Sequence, residues 1–220
     1  MATTVEARAQ EQVSTSTPPP RWYRDRNRLA LGAAVALLVL ALVAWFVMTS
    51  NRRKEEFAAR SLNQARAAAE AGNLPLASSE LQRLIQTYRG TDAAAEAVIT
   101  LNQVRMVNGQ SELAVVGLRD FLNAGPEEKY RAPAYGLLGA ALESARKFGE
   151  AGDAFKSASD ATTLDFLKAR HLIDAGRAYR AADKNAEAAA AYRTVIEKYP
   201  NTPSVTEAQV RLAELTAGKM

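Results

Sequence analysis

His171 is the only histidine in this 220-residue chain, and the chain has no cysteine. A metal site would therefore need carboxylates for its remaining ligands, and disulfides, thiolate sites, cysteine nucleophiles and lipid attachment through cysteine are excluded. Asp165 and Asp174 lie nearby, but Asp174, three residues on, is most simply a neighbour on a helix surface. The segments "GNLP", "GQS" and "GPEE" are turn sequences, not phosphate-cradling loops. No serine stands in a G-x-S-x-G context. The carboxylate pair Glu127/Glu128 falls at an expected helix start, where the helix dipole favours it. These residues point away from an enzyme, and no cofactor, metal or small-molecule substrate is expected. What remains is recognition. Arg170, Arg177 and Arg180 sit at helical spacing, as either a positive stripe for an acidic peptide or carboxylate, or a solvated helix face.

Such side chains need elements to hold them, and the elements repeat. "YRGTDAAAEAVITL" from Tyr88 and "YPNTPSVTEAQVRL" from Tyr199 begin 199 − 88 = 111 residues apart, three times 37. Ala77, Ala114, Ala151 and Ala188 fall at steps of 37, as do Leu81, Leu118, Phe155 and Tyr192. The turn before each alanine carries Gly72, Gly109, Arg146 and Asp183 in the same step. A fourth column holds Leu101, Leu138 and Ala175 but is broken in the first unit by Gln64. A fixed period of this size predicts a solenoid, whose units bury their apolar faces only against one another.

The charge is uneven. The formal net charge is +4, yet residues 1–54 hold eight Lys/Arg against three Asp/Glu, and residues 55–220 hold twenty against twenty-one. The basic residues flank an apolar segment and do not form a nucleic-acid face, so no nucleic-acid partner is expected. That segment, Leu29 to Met48, is twenty residues without a charge. As a helix it would span roughly 30 Å, about the hydrocarbon thickness of a bilayer. Trp45 lies near its end, where an aromatic belt is expected. The run exceeds the apolar core of a cleaved leader and ends in "AWFVMTSNRRKEE" without a small-x-small site, so it reads as an uncleaved signal anchor. Arg21, Arg24, Arg26 and Arg28 before it nearly tie with Arg52, Arg53 and Lys54 after it, so charge alone does not orient it. The domain reading is a disordered tail at 1–28, with "STSTPPP" in its first twenty residues, a transmembrane helix at 29–48, a juxtamembrane segment at 49–56 and a repeat domain at 57–220.

Beyond Arg53 the apolar period is 3.6. It predicts helices near 53–71, 75–88, 92–108, 111–124, 127–145, 148–160, 164–182 and 185–198, with a capping helix at 203–217. Thr91, Ser111 and Thr202 are expected N-caps, with Pro203 at the first helical position. Pro200 should stop the helix before it, and Pro133 makes the start of the 127–145 helix ambiguous. In the capping helix, Val205, Ala208, Val210, Leu212 and Leu215 are read as including its contacts with the fourth unit. The fold class is all-α: one transmembrane helix, then about four αα-hairpins and a cap.

At this point the chain resembles the tetratricopeptide repeat family. Tyr135, Leu138, Gly139, Leu142, Ala151, Phe155 and Ala158 stand at the family's spacings, as do Gly176, Tyr179, Ala188, Tyr192 and Pro200. Gly139, Gly176 and the alanine column would let paired helices approach; Phe155 and Tyr192 would fill the space between. Unit two has Asn102 and unit one Ala65 where the family prefers glycine, and the period of 37 exceeds the usual 34. The resemblance implies a concave face lined by the first helix of each unit, placing Arg66, Gln103, Met106, Ala140, Glu143, Arg170, Arg177 and Arg180 as candidates for binding peptide. The family's clamp for chaperone C-terminal carboxylates is not made, since Leu62, Arg66, Thr100, Pro133 and Leu137 hold the corresponding places.

The layout of basic tail, span and alanine-rich repeats is similar to the YfgM-like group of bacterial inner-membrane proteins. This implies an ancillary subunit of the SecYEG translocon, with a cytoplasmic N-terminus, a periplasmic repeat domain and links to periplasmic chaperones. The "EKYPNTP…EAQVRLAEL" ending also resembles repeats of outer-membrane assembly lipoproteins and Tol-Pal coordinators. The expected function is a membrane-anchored protein–protein adaptor, chaperone-like at the translocon. The alternative is a scaffold for an envelope or division complex, acting through one fixed partner or self-assembly, with homo-oligomerisation left open.

Overall fold

The computed structural model describes residues 21–217, with side chains from Arg28 onward. Among the described residues there are nine helices and no strand. They are α1 (Arg21–Glu70), α2 (Leu74–Thr87), α3 (Asp92–Val107), α4 (Ser111–Asn123), α5 (Glu128–Ser144), α6 (Phe148–Asp160), α7 (Asp165–Ala181), α8 (Asn185–Lys198) and α9 (Ser204–Ala217). The chain forms two compact units, Met1–Ser50 and Asn51–Met220.

Most of the tail expected to be disordered, residues 1–20, lies outside the described residues. Its last eight positions, 21–28, are helical. Residues 49–56, read as a juxtamembrane segment, are helical within α1. No glycine or proline occurs between Thr49 and Glu70, so nothing stops the helix before Gly72.

The hairpin turns repeat atom for atom. Gly72, Gly109, Arg146 and Asp183 all adopt left-handed backbone, with φ of 79°, 72°, 60° and 60°. One residue later, the amides of Asn73, Gln110, Lys147 and Lys184 donate to the carbonyls of Ala68, Arg105, Leu142 and Tyr179, five residues back, at 2.8–2.9 Å. This is a Schellman closure repeated at 37-residue steps. The same four residues then open the second helices, each accepting from the amide of the column alanine four residues on. Only Asn73 caps with its side chain, accepting from the Leu76 amide. Ser111, expected as a cap, is the first helical residue of α4, because the Schellman closure makes Gln110 the N-cap.

The connections between units repeat as well. Thr91 and Thr202 each donate a hydroxyl hydrogen bond to a carbonyl three residues back, Tyr88 at 2.8 Å and Tyr199 at 2.9 Å. Thr91 also caps α3 by accepting from the Ala94 amide at 3.1 Å. Thr202 does not cap α9: Pro203 still lies in the turn and the helix opens at Ser204. Pro133 is absorbed inside α5.

The alanine column is fully buried throughout, and Leu81, Leu118, Phe155 and Tyr192 are buried with it. A Cβ on Gly139 would stand 2.7 Å from the Phe155 ring, and one on Gly176 would strike the Tyr192 ring. Units three and four thus pair glycine on the first helix with an aromatic on the second. Units one and two instead have Ala65 with Leu81 and Asn102 with Leu118, all buried. Gln64, which breaks the fourth column, is exposed. The apolar core divides at the second hairpin. One cluster joins α1, α2 and α3 through residues such as Leu62, Leu81 and Leu101; the other runs from α4 to α9. Between them sits the amide of Asn102, which donates to the Val98 carbonyl at 2.9 Å and accepts from Arg105 at 3.0 Å, pressed against Gly117.

Candidate partner-binding surfaces

The first helices of the units, the end of α1 with α3, α5 and α7, carry the residues expected to bind peptide. They are joined to one another by ion pairs. Arg66 of α1 donates to Glu96 of α3 at 2.9 Å. Arg177 of α7 meets Glu143 of α5 at 3.3 Å, and Arg180 of α7 meets Glu214 of α9 at 2.6 Å. Within α7, Asp174 receives Arg177 at 3.2 Å and Arg170 at 3.9 Å. Gln103 is exposed, and Met106 is half-buried against the core. Glu143, Arg170 and Arg177 are thus gathered around Asp174, while Arg180 is turned to α9 and Arg66 belongs to the first interface.

The arginine stripe is charge-balanced as a result. Glu143 precedes Arg177 by 34 residues and Arg180 precedes Glu214 by 34, one helical turn short of the repeat period. Opposite charges at the period minus three are a signal in the sequence, but only for a reader who already knows that alternate helices touch. The pairs are partly exposed, so each contributes little stability. Their consequence is for binding: a peptide carboxylate competes with Asp174, Glu143 or Glu214 for these guanidinium groups.

Burial raises the Asp174 carboxyl above the ordinary carboxylate range, against the pull of Arg177 and Arg170. Burial likewise lowers the His171 imidazole, opposed by Asp174 and reinforced by Arg170. The His171 ring packs against Gly136 of α5, and its Nδ1 is buried without a hydrogen-bond partner. His171 therefore fills space between α5 and α7. Among the described residues no group of three or more His, Asp or Glu is placed to hold a metal ion.

A second surface lies on the other helices. α6 and α8 flank a groove of about 330 Å³, floored by Leu172, Ala175 and Tyr179 of α7 and rimmed by Lys156, Glu187 and Lys198. Gly152 of α6 leaves room for the Tyr179 ring, whose hydroxyl donates to Asp153 at 2.7 Å. Burial, then the Asp153 bond, raises the pKa of that phenol. No motif marks this groove, because its floor and rim come from three helices whose juxtaposition no local pattern encodes.

A family model described as a tetratricopeptide repeat-like domain matches residues 21–217. No curated protein matches the chain. Among solved structures, the chain is similar to a crystal structure of MamA protein, with 20% identity and a TM-score of 0.59, covering 74% of this chain and 83% of that one. It is also similar to a Podosopora anserina putative kinesin light chain with nearly identical repeats, at 19% identity and a TM-score of 0.58, covering 73% and 85%. At these identities the likeness is one of fold.

Proposed function

The chain belongs to the tetratricopeptide repeat-like domain family, and from that premise we propose that it is an adaptor which holds protein partners at a membrane. One observation carries the membrane half of this reading. All twenty uncharged residues from Leu29 to Met48 are exposed on α1, Trp45 and Phe46 about two-thirds so. A helix of a soluble core would be buried on at least one side, whereas one in lipid is apolar all round. The family supplies the adaptor half, since such repeats serve as scaffolds for protein–protein contact.

The finer reading is a chaperone-like subunit associated with the translocon of a bacterial inner membrane, with the N-terminus cytoplasmic and residues 49–220 periplasmic. Its mechanism is noncovalent. The span confines the array to the membrane, and that confinement makes a second contact effectively intramolecular, so avidity rises without any tight single site. One observation favours a scaffold with a single fixed partner instead: the first-helix face is closed by its own ion pairs, so it offers a partner shape more than unpaired hydrogen-bonding groups.

Two measurements test these readings. A reporter active only outside the cytoplasm, fused after Met220, should be active; activity of a cytoplasm-only reporter there overturns the periplasmic and translocon readings together. Crosslinking in native membranes followed by mass spectrometry should give many exported clients at low occupancy. A single stoichiometric partner instead would establish the scaffold.

A further inference from the structure

By register α9 is a first helix. Ala208 and Leu212 stand three steps of 37 beyond Ala97 and Leu101 of α3, and Ala213 stands one step beyond Gly176 of α7. The inner side keeps the pattern: Ala208 is fully buried, as Ala97 is, and Leu212 packs half-buried on the last unit. The other side is open. α3, α5 and α7 each lie between two second helices, α2 and α4, α4 and α6, α6 and α8. α9 packs on α8 and α7, and among the described residues no helix covers its far side.

That open side carries no charge. Thr206, Gln209, Val210, Ala213, Thr216 and Ala217 are all exposed on it at helical spacing. The three ionisable residues of α9 are paired elsewhere: Arg211 with Glu207 at 3.6 Å and with Glu214 at 3.5 Å, and Glu214 with Arg180 of α7 at 2.6 Å. An array end that faces only water needs a polar outer side. Here the middle of the outer side is Val210, about half exposed, and Ala213.

The repeat columns define what fits there. Ala213 continues Ala65, Asn102, Gly139 and Gly176, whose counterparts on their own second helices are Leu81, Leu118, Phe155 and Tyr192. Glycine leaves room for a ring, since a Cβ on Gly139 would stand 2.7 Å from Phe155. Alanine goes instead with leucine, as Ala65 and Leu81 do within one buried cluster. The open side of α9 has no leucine of its own, so pairing α9 with the α9 of a second copy would leave that place unfilled.

We propose that α9 docks a protein partner through one amphipathic helix of that partner. The helix lies on the open side as α2 lies on the end of α1, with a small residue and, four positions on, a leucine seated against Ala213, the spacing of Ala77 and Leu81. The inference rests on the adaptor reading and names the contact the partner makes.

The probe is the chain's own second helix: a peptide of residues 73–87, stapled on its outward side to hold it helical, labelled with fluorescein and titrated with the full chain in detergent. Anisotropy should rise and saturate. Leu81→Asp in the peptide, or Ala213→Glu or Val210→Asp in the chain, should each weaken binding at least tenfold. Both chain positions are exposed, so neither variant should change the melting temperature. A peptide that does not bind, or binding indifferent to these substitutions, overturns the proposal. A photo-crosslinker in place of Gln209, and separately in place of Gln103 on the first-helix face, reads the natural partner in native membranes. Adducts at 209 should map to a helix of another protein with the alanine–leucine spacing; adducts to a second copy of this chain overturn the proposal. Adducts at 103 with none at 209 overturn the α9 site and leave the adaptor reading standing, and adducts at neither position overturn both.

Discussion

At the scale of single residues, size exchange across the hairpin crossing decides what each unit tolerates. Gly176 faces the fully buried ring of Tyr192, and a Cβ there would collide with ring carbons that have nowhere to move. We expect Gly176→Ala to lower stability by about 1–3 kcal/mol through overpacking. Tyr192→Leu should restore part of the loss when combined with it, because Ala65 and Leu81 already use that pairing in the first unit. Additive losses in thermal melts of the singles and the double would show that the two sites do not share a contact. His171 supplies a pH prediction. Its folded-state pKa is lowered by burial, so its contribution to stability is present above the ordinary histidine value and is lost as pH falls through the lowered one. Melting temperature should therefore fall as the pH is lowered through and below the ordinary histidine value, and the fall should shrink in His171→Gln. An unchanged pH profile in that variant would mean the imidazole is as well solvated in the fold as in the unfolded chain. The raised Asp174 works with the opposite sign and at lower pH, since its protonated form is the one the fold favours.

Among elements, α9 is the one whose removal tests how the array ends. Ala208 is fully buried, and Val205, Leu212 and Leu215 pack half-buried against the last unit. Val210, expected among the contacts, is about half exposed on the outer side, and Arg180 is tied to Glu214. Beneath this cover Tyr192 and Val195 are fully buried. Each large side chain returned to water is worth roughly 1.5–3 kcal/mol, so truncation after Asn201 should expose enough apolar surface to remove a large share of a domain's usual stability. The expected outcome is a full-length chain in detergent that melts well above the truncated one, which should also aggregate. Unchanged melting with a lost crosslinking partner would instead make α9 a partner-binding helix.

For the whole molecule, the divided core predicts divided unfolding. The cluster of α1, α2 and α3 and the cluster of α4 to α9 meet at a hairpin whose crossing is the buried amide of Asn102. Arrays of this kind lose cooperativity where one interface between neighbours is weak. Native-state hydrogen exchange should find α2 and α3 opening at a lower free energy than α6 and α7. A single shared opening energy across all of them would show that the Asn102 crossing couples the halves as well as an apolar one does. Legible in the sequence were the period of 37, helices α2 to α9 to within a few residues of their observed ends, the four turn positions and the apolar run of twenty, because each depends on chemistry local to a few turns of chain; the start of α1 at Arg21 and the left-handed backbone of Arg146 and Asp183 were not. With no helix breaker before Gly72, α1 continues through residues 49–56. Only the tertiary structure decided that Arg177 is neutralised by Glu143 and Arg180 by Glu214, that Tyr179 and Asp153 close the α6–α7 contact, that the core parts at Asn102, and that α9 turns Val210 and Ala213 outward. Those outcomes depend on which faces of helices distant in sequence are brought together, and a periodicity that predicts stacking does not name the side chains that meet across it.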